Sequence, residues 1–532
     1  MNENLKIGVF LCKCGGALAK RIDFQKLLTQ VNTFPGVSYS QVDSALCLAE
    51  GRVSIGRAIK EQGLNRVVIA GCSPSFHEET FMEALRDFGF DPQLMAMAAL
   101  RERCFGEEAT QRAAREVLAA VRKAALLVPL PEKAVSVEPA VAIIGGGLTG
   151  IEAALTAAQL GLRVTLIEKE KELGRRGSEL YPEVLTKKLQ ELVQQPRITV
   201  STGTELLAIK GQAGHFAISV KKGGQTSIVN AGAIIIASGV EPQTPPYFSP
   251  PQVIGLWQLP RILATSSEKF RRVGFLVDLA QESRLASHMA VEGALACKKN
   301  WASEAYILCR NVKVDGREWE GLYRQARDQG VIFFKFRDNP SVKLCGVQVE
   351  IVVNDIYLGG QPVSLACDLL VVEQELAVGP SIREIAREAG LTISPEGWLQ
   401  DANVHLYPVL SNRPGIFYAG LCRWEQELEE SLADARQAAE SAASLLSGGK
   451  TWVLSGKVAI EAEKCALCLT CIRSCPHRAI SIDPIRRAPY VDDLSCQGCG
   501  ICAAECPGKA LQLNGFTDAQ MAVQLQLGEG WK

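Results

Sequence analysis

Apolar residues come in short blocks along this chain, separated by stretches with helical spacing. Residues 6–11, 37–42, 66–70 and 94–98 have strand length, and the intervening segments repeat apolar positions every three to four residues. That pattern predicts an α/β unit over residues 1–134. Its end is marked by Val128-Pro129-Leu130-Pro131-Glu132-Lys133, where two prolines restrict the backbone and remove amide donors. A second α/β pattern starts with the strand Val141-Ala142-Ile143-Ile144, a helix through Gln159 and a strand over 163–167. It runs to an Ala-rich helix at about 429–446, closed by Ser447-Gly448-Gly449. Residues 456–513 are short, Cys-dense and loop-rich, and 514–532 read as a surface extension. The spacing of 31 between Cys465 and Cys496 is the one internal repeat that stands out.

Composition narrows the class. The 532 residues carry 57 basic and 58 acidic side chains, a net charge of −1, with 47% hydrophobic residues, so disorder is excluded. Such a balance offers no electrostatic footprint, and neither nucleic acid nor an anionic membrane is expected as partner. The longest apolar stretches, 141–161 and 231–240, are broken by glycines and Glu152 or too short for a bilayer, so no transmembrane span is expected. Eighteen cysteines in 532 residues fall below the ~8–10% of a disulfide scaffold. Residues 7–11 are too short for a signal-peptide core, and a reducing, cytoplasmic location is expected.

Two cysteine runs carry the clearest chemistry. Cys465-x2-Cys468-x2-Cys471-x3-Cys475-Pro476 is followed by Cys496-x2-Cys499-x2-Cys502-x3-Cys506-Pro507, each the bacterial ferredoxin pattern for a [4Fe–4S] cluster. Three closely spaced thiolates wrap one face of a cube, and the fourth reaches the other cluster. The expected sets are therefore Cys465, Cys468, Cys471 with Cys506, and Cys496, Cys499, Cys502 with Cys475. A pair of zinc ribbons is the competing reading, and it does not account for both prolines.

After the strand ending at Ile144 comes Gly145-Gly146-Gly147-Leu148-Thr149-Gly150 and then a helix. Gly145, Gly147 and Gly150 occupy the fingerprint positions for a tight turn, for close approach to a pyrophosphate, and for close helix–strand packing. Glu168 ends the next strand, 18 residues past Gly150, where a carboxylate can accept from an adenosine ribose. These residues fit FAD or NAD alike. Three later segments, Leu173-Gly174-Arg175-Arg176, 233–237 with Ser238-Gly239-Val240-Glu241-Pro242, and Gly415-Ile416-Phe417-Tyr418-Ala419-Gly420, resemble the successive signatures of two-dinucleotide flavoproteins of the thioredoxin-reductase kind. The resemblance implies FAD, lined by Arg175, Ser238, Gly239 and Gly420 as well, with the 429–446 helix aiming its positive end at the flavin. The usual acidic residue after the last glycine is replaced by Leu421 and Cys422. In the second half of such a fold, 272–280 supply a strand without the glycine trio, and 368–372 lead to Glu373-Gln374-Glu375. That half is expected to keep its fold and to have lost its nicotinamide; a divergent NAD(P) site is the alternative.

Cys12, Cys14, Cys47, Cys72 and Cys104 each follow a predicted strand, and the carboxyl ends of parallel strands gather at one edge. Spacing alone favours inert thiols. The segments Ile7-Gly8-Val9-Phe10-Leu11-Cys12-Lys13-Cys14-Gly15, Asn65-Arg66-Val67-Val68-Ile69-Ala70-Gly71-Cys72-Ser73-Pro74 and Leu100-Arg101-Glu102-Arg103-Cys104 resemble the flavin-carrying A subunit of heterodisulfide reductase and its relatives. The likeness extends over about residues 5–512 in the same domain order. It implies an additional N-terminal cluster held by Cys47, Cys72 and Cys104 with Cys12 or Cys14. Two departures stand out. No cysteine insertion follows Gly174-Arg175-Arg176-Gly177, and the second-half cysteines are mostly missing near 279–288.

The sequence thus predicts an α/β protein in three parts. They are an N-terminal α/β domain (1–134), a thioredoxin-reductase-like two-dinucleotide FAD fold (138–450) and a C-terminal α+β two-[4Fe–4S] ferredoxin domain (456–513). Within the middle part, the FAD portion is 138–250 with 379–450, and the degenerate nicotinamide-like portion is 251–378. The expected function is that of an oxidoreductase component passing electrons between FAD and [4Fe–4S] clusters, and the resemblance allows electron bifurcation. Expected partners are the other subunits of a heterodisulfide-reductase-like complex, with a homodimer as a further option. The alternatives are a self-sufficient NAD(P)H oxidoreductase like the glutamate synthase small subunit, and a scaffold whose flavin site has decayed. No nucleophile–His constellation is readable, and His77, His215, His288, His405 and His477 read as packed or solvated.

Overall fold

A computed structural model describes residues 5–525 except Arg317; residues 526–532 of the expected extension lie outside the described residues. The chain divides into two compact units. One combines the chain up to Val135 with the chain from Trp452 onward, and the other is Ser136–Thr451.

In the first unit, the strands Ile7–Cys12, Val37–Asp43, Arg66–Ala70 and Met95–Ala98 form a parallel sheet in the order 2-1-3-4. Alternate residues of each strand feed two cores, because side chains in a strand point to opposite faces. Ile7, Val9 and Leu11 pack against the helix Ala109–Ala125, whereas Phe10 and Cys12 pack with Ile55, Phe81 and Leu85 on the other side. The order reverses between the first and third strands, and that switch point is where an open α/β sheet leaves a crevice.

The ferredoxin module completes the same unit with two hairpin-like pairs, Val458–Ile460 with Leu511–Leu513 and Ile480–Asp483 with Ala488–Val491. The Lys133 ammonium meets Asp493 at 2.6 Å, and Ser455 and the Gly456 amide also donate to that carboxylate. Beyond the module, within the expected surface extension, the helix Asp518–Leu525 packs on Ala109–Ala125. The Gln520 amide donates to the Leu126 carbonyl, and Lys123 lies 3.7 Å from the Phe516 ring centroid, a cation–π contact.

The second unit consists of two halves of like topology, as its resemblance to two-dinucleotide flavoproteins implied. The strands Ile416–Tyr418, Ala233–Ile236, Ala140–Ile144, Arg163–Ile167 and Ile198–Ser201 form one five-stranded parallel sheet in that spatial order. A three-stranded antiparallel sheet accompanies it, made of Thr204–Gln212, His215–Lys222 and Gln225–Ala231. Val253–Gly255, Leu369–Val372, Arg272–Leu276, Glu304–Cys309 and Ile332–Lys335 repeat the five-stranded order, and Ser341–Cys345, Gln348–Asn354 and Pro362–Cys367 repeat the three-stranded sheet. Two dinucleotide-type halves follow from the topology, so the cysteine repeat is not the only one in the chain.

Candidate functional site

The eight ferredoxin thiols gather around two separate hollows. One is lined by Cys465, Cys468, Cys471 and Cys506, the other by Cys475, Cys496, Cys499 and Cys502. Each triplet thus meets the distant cysteine of the other run, because the two half-modules pack face to face through Thr470–Ser474 and Ile501–Ala504. Backbone amides already point at sulfur: Leu467 N–H toward Cys465 at 3.4 Å, Ala479 toward Cys475 at 3.4 Å and Ala510 toward Cys506 at 3.3 Å. Amides so placed stabilise the charge on thiolate-bound iron. Burial pushes the Cys502 thiol up to about 11, and the nearby Cys496, Cys475 and Cys499 add to it. Four thiols crowded into an apolar hollow resist ionising together, and a bound cationic cluster core relieves that cost.

At the switch point of the N-terminal sheet, Cys14 and Cys72 stand with their sulfurs 3.3 Å apart. The Cys12 sulfur accepts from the Cys14 and Leu46 amides at 3.3 and 3.4 Å. Cys47 packs on the same face, and its thiol is pushed up by burial and then by the charges of Cys12 and Cys72. Gly71 makes this convergence possible: a Cβ there would lie 2.8 Å from the Cys12 Cβ. Cys104 belongs elsewhere. It is fully buried in the core on the opposite face of the sheet, and its leading charged neighbours are Glu116, Arg21, Arg112 and Arg103. Cys12, Cys14 and Cys47 therefore share one face with Cys72 at the Cys14 sulfur, whereas Cys104 lies in the core of the other face, on which Cys14 also borders.

The dinucleotide fingerprint forms the floor of a cavity of about 440 Å³. Gly145 turns the chain at φ +112°, and a side chain there would strike the Ala237 carbonyl at 2.4 Å. Gly150 brings the helix Leu148–Gln159 against the turn, since a Cβ would lie 1.8 Å from the Gly145 carbonyl. At Gly147 a Cβ would meet nothing within 4 Å, which leaves the helix N-terminus open to the cavity. A pyrophosphate fits such a place, with free amides and the positive end of a helix. Glu168 accepts from the Gly146 amide at 2.5 Å and the Glu170 amide at 2.8 Å, which fixes its carboxylate at the junction with a second cavity of about 370 Å³. Ser238 adds a buried hydroxyl oxygen with no hydrogen-bond partner among the described residues, and with Gly239 and Arg175 it borders the cavity. A polar group of a ligand would satisfy that orphan.

Opposite the fingerprint, the helix Leu428–Leu446 directs its N-terminal residues Leu428 and Ser431 into the cavity. Gly420, at φ +77°, packs against Thr149, and its amide donates to Asp434 at 3.2 Å. Asp434 is itself held by Arg423 at 2.5 Å and accepts from the Gln426 side-chain amide at 2.8 Å. No local pattern revealed it, because the partners lie 14 residues apart across a turn.

The equivalent turn of the second half is already filled by the chain's own carboxylates. After the strand Arg272–Leu276, the Asp278 amide donates to Glu373 at 2.5 Å. The buried Asp278 carboxylate takes the amides of Ser283, Arg310 and Asn311 at 3.1, 2.9 and 3.1 Å. A dinucleotide phosphate would find these donors spent and two carboxylates in its way. NADH and NADPH are therefore expected to leave the flavin colour of the purified chain unchanged; rapid anaerobic bleaching by either would contradict this. Burial, reinforced by Asp278 and Glu425, pushes the Glu373 carboxyl up to about 8. The folded state then holds this proton more tightly than the unfolded one, so its contribution is full below 4.5 and declines up to about 8. Glu373→Gln is expected to remove that decline, at most about 1.4 kcal/mol per pH unit, in melting curves compared between pH 5 and 9.

The model of the pyridine nucleotide-disulphide oxidoreductase family matches residues 95–254, and that of the 4Fe-4S dicluster domain matches residues 457–507. One iron-sulfur A subunit of the CoB–CoM heterodisulfide reductase of Methanopyrus kandleri is 26% identical over 657 residues, covering 98% of each chain. The A subunit of the H(2)/formate:CoB-CoM heterodisulfide,ferredoxin reductase of Methanococcus maripaludis is 25% identical over 603 residues, covering 90% of this chain and 91% of its own. Among solved structures, a thioredoxin reductase of T. acidophilum covers 57% of this chain and 97% of its own at 17% identity, with a TM-score of 0.43. Along nearly its whole length, the chain is similar to the A subunits of heterodisulfide reductases, and it contains one segment that matches the pyridine nucleotide-disulphide oxidoreductase family and one that matches the 4Fe-4S dicluster domain.

Proposed function

We propose that this chain is the FAD- and iron–sulfur-carrying electron-transfer component of a heterodisulfide-reductase-like oxidoreductase complex. The observation that carries the reading is the sorting of the eight ferredoxin thiols into two interleaved quartets, in a chain that also holds an open dinucleotide cavity. A bound flavin exchanges electrons in pairs or singly, and [4Fe–4S] clusters exchange them singly. Gly147 and the helix behind it hold the pyrophosphate, Glu168 the ribose, and the helix Leu428–Leu446 offers its positive end to the ring system. The filled second half makes a partner protein, and not a nicotinamide, the source or sink of electrons.

In the N-terminal domain, Cys12, Cys14, Cys47 and Cys72 are the thiols this reading assigns to a third cluster. Anaerobically purified protein then contains about 12 iron atoms, four per cluster, with one FAD. Cys72→Ala is expected to lower the count to about 8 and Cys104→Ala to leave it at about 12. The central test is equilibrium reduction without oxygen: electrons delivered to the flavin by a low-potential donor must appear in the clusters, read by electron paramagnetic resonance. Clusters that stay oxidised beside a fully reduced flavin overturn the assignment.

A further inference from the structure

The helix Arg284–Trp301 belongs to the second half, yet Leu285, Met289, Glu292 and Gly293 on it line the dinucleotide cavity of the first. The first half adds Gln426, Glu427, Leu428 and Ser431 to the same cavity, all at the start of the helix Leu428–Leu446. The two helix starts are tied together by the side chains that cap them. Ser283 caps the helix Arg284–Trp301 by accepting from the Ala286 amide at 3.0 Å, and its hydroxyl donates to Glu425 at 2.7 Å. Glu430 accepts from the Glu427 amide at 2.9 Å with one carboxylate oxygen, and with the other it accepts from the Arg284 guanidinium at 2.8 Å. A capping side chain satisfies a group that the helix itself leaves unpaired, and here each cap is also a link between the halves.

A third link is aromatic. The His288 Nδ1 lies 2.5 Å from the Glu427 carboxylate, and the Trp319 side chain donates to that carboxylate as well. The imidazole is held flat on Trp319, with ring centroids 4.2 Å apart and planes 8° from parallel. Arg284 completes the stack, its guanidinium carbon 5.4 Å from the Trp319 ring centroid and 5.8 Å from that of Trp424. Trp319 is 4% exposed, so the stack is sealed from water on that side, where polar links gain strength.

Arg284, His288 and Trp319 lie behind the cavity wall and not on it; they reach it through Glu427, which lines the cavity, and through Glu430, which caps the same helix. This inference rests on the flavin reading above for what the cavity holds, and extends it to how the cavity is kept. We propose that Arg284, His288 and Trp319 are positioning residues: through Glu427 and Glu430 they clamp the first turn of the helix Leu428–Leu446 onto the wall of the dinucleotide cavity. The turn that would take a nicotinamide phosphate is occupied by Asp278 and Glu373, so the second half has no ligand of its own to bring to the flavin and no reason to swing away from it. Its remaining task is to hold the first half's cavity in shape. Three polar links converge on one helical turn, where packing alone would need only apolar side chains. The residues they join stand 139 to 146 positions apart, so no local pattern in the sequence displays them.

Amide hydrogen exchange of the full chain freed of FAD reads the clamp without any flavin. The double variant Arg284→Gln with His288→Phe keeps a ring on Trp319 and removes two of the links. In it, the amides of residues 431–434, the first to bond within the helix, are expected to exchange at least about tenfold faster, while the strands Ile416–Tyr418 and Leu369–Val372 keep their protection. In the loaded chain the same variant is expected to release FAD about tenfold faster, with association changed by less than about twofold. Arg284→Lys keeps a positive charge beside Glu430 and is expected to stay close to the unaltered chain in both measurements. Unchanged exchange at 431–434 overturns the proposal, as does an equal acceleration in the strands, which would make the contacts a matter of general stability. An Arg284→Lys chain that opens as readily as Arg284→Gln overturns it too. Should the double variant not fold, Arg284→Gln and Arg284→Lys carry the same comparison. An unaltered chain that binds no FAD overturns the flavin reading, and hydrogen exchange in the apoprotein still decides the clamp.

Discussion

Replacing Cys506 by Ala is expected to destroy the cluster nearest Cys465, not the one nearest Cys502. Cys506 lies only four residues beyond Cys502 in sequence, but it shares a hollow with Cys465, Cys468 and Cys471. Removing one thiolate of four leaves an iron open to solvent, and a cube so exposed is lost. The ferredoxin module falls from about eight iron atoms to about four. The pairing is read from what remains. Cys506→Ala and Cys465→Ala must leave the same electron paramagnetic resonance spectrum, and Cys475→Ala and Cys496→Ala must share the other. Spectra that pair Cys506→Ala with Cys496→Ala would mean that each run serves its own cluster.

Two glycines of the fingerprint turn are expected to fail in different ways. Gly150→Ala forces a methyl to within 1.8 Å of the Gly145 carbonyl, so the helix must move off the turn. The expected result is loss of bound flavin together with a loss of stability of about 1–3 kcal/mol, the usual cost of overpacking. Gly147→Ala meets no protein atom within 4 Å, and its φ of −72° suits any residue. Its apoprotein should melt like the unaltered chain, yet its methyl stands where the pyrophosphate approaches, and FAD affinity should fall at least about tenfold. Calorimetry with added FAD separates the two outcomes. Unchanged affinity in Gly147→Ala would move the pyrophosphate away from this helix.

Reading the chain in one dimension worked where function depends on near neighbours. The strand blocks at 6–11, 66–70 and 163–167 reappear within a residue or so, because a buried strand needs an unbroken apolar run. The glycine turn was legible because its three glycines fall within six residues directly after a strand, although the Ala237 carbonyl that excludes a side chain at Gly145 comes from a distant segment. The second half was legible only through its resemblance to two-dinucleotide flavoproteins, since five-stranded order is a property of hydrogen bonding between distant segments and leaves no repeated letters. Asp434 at Gly420 and the helix Asp518–Leu525 against Ala109–Ala125 escaped for the same reason.

By itself, the sequence determined which atoms are present in the right local spacing: two ferredoxin cysteine runs, one phosphate-binding turn with its following carboxylate, and five early thiols. Only the tertiary structure decided which of them meet. It placed Cys104 in the core on the other face of the sheet from Cys12 and Cys47, and it filled the second dinucleotide turn with Glu373. It also set His288 between two carboxylates from different helices. Spacing along a chain fixes what a few consecutive residues can do together, whereas contacts between remote segments depend on how sheets and helices pack, and that is written in no single stretch of the chain.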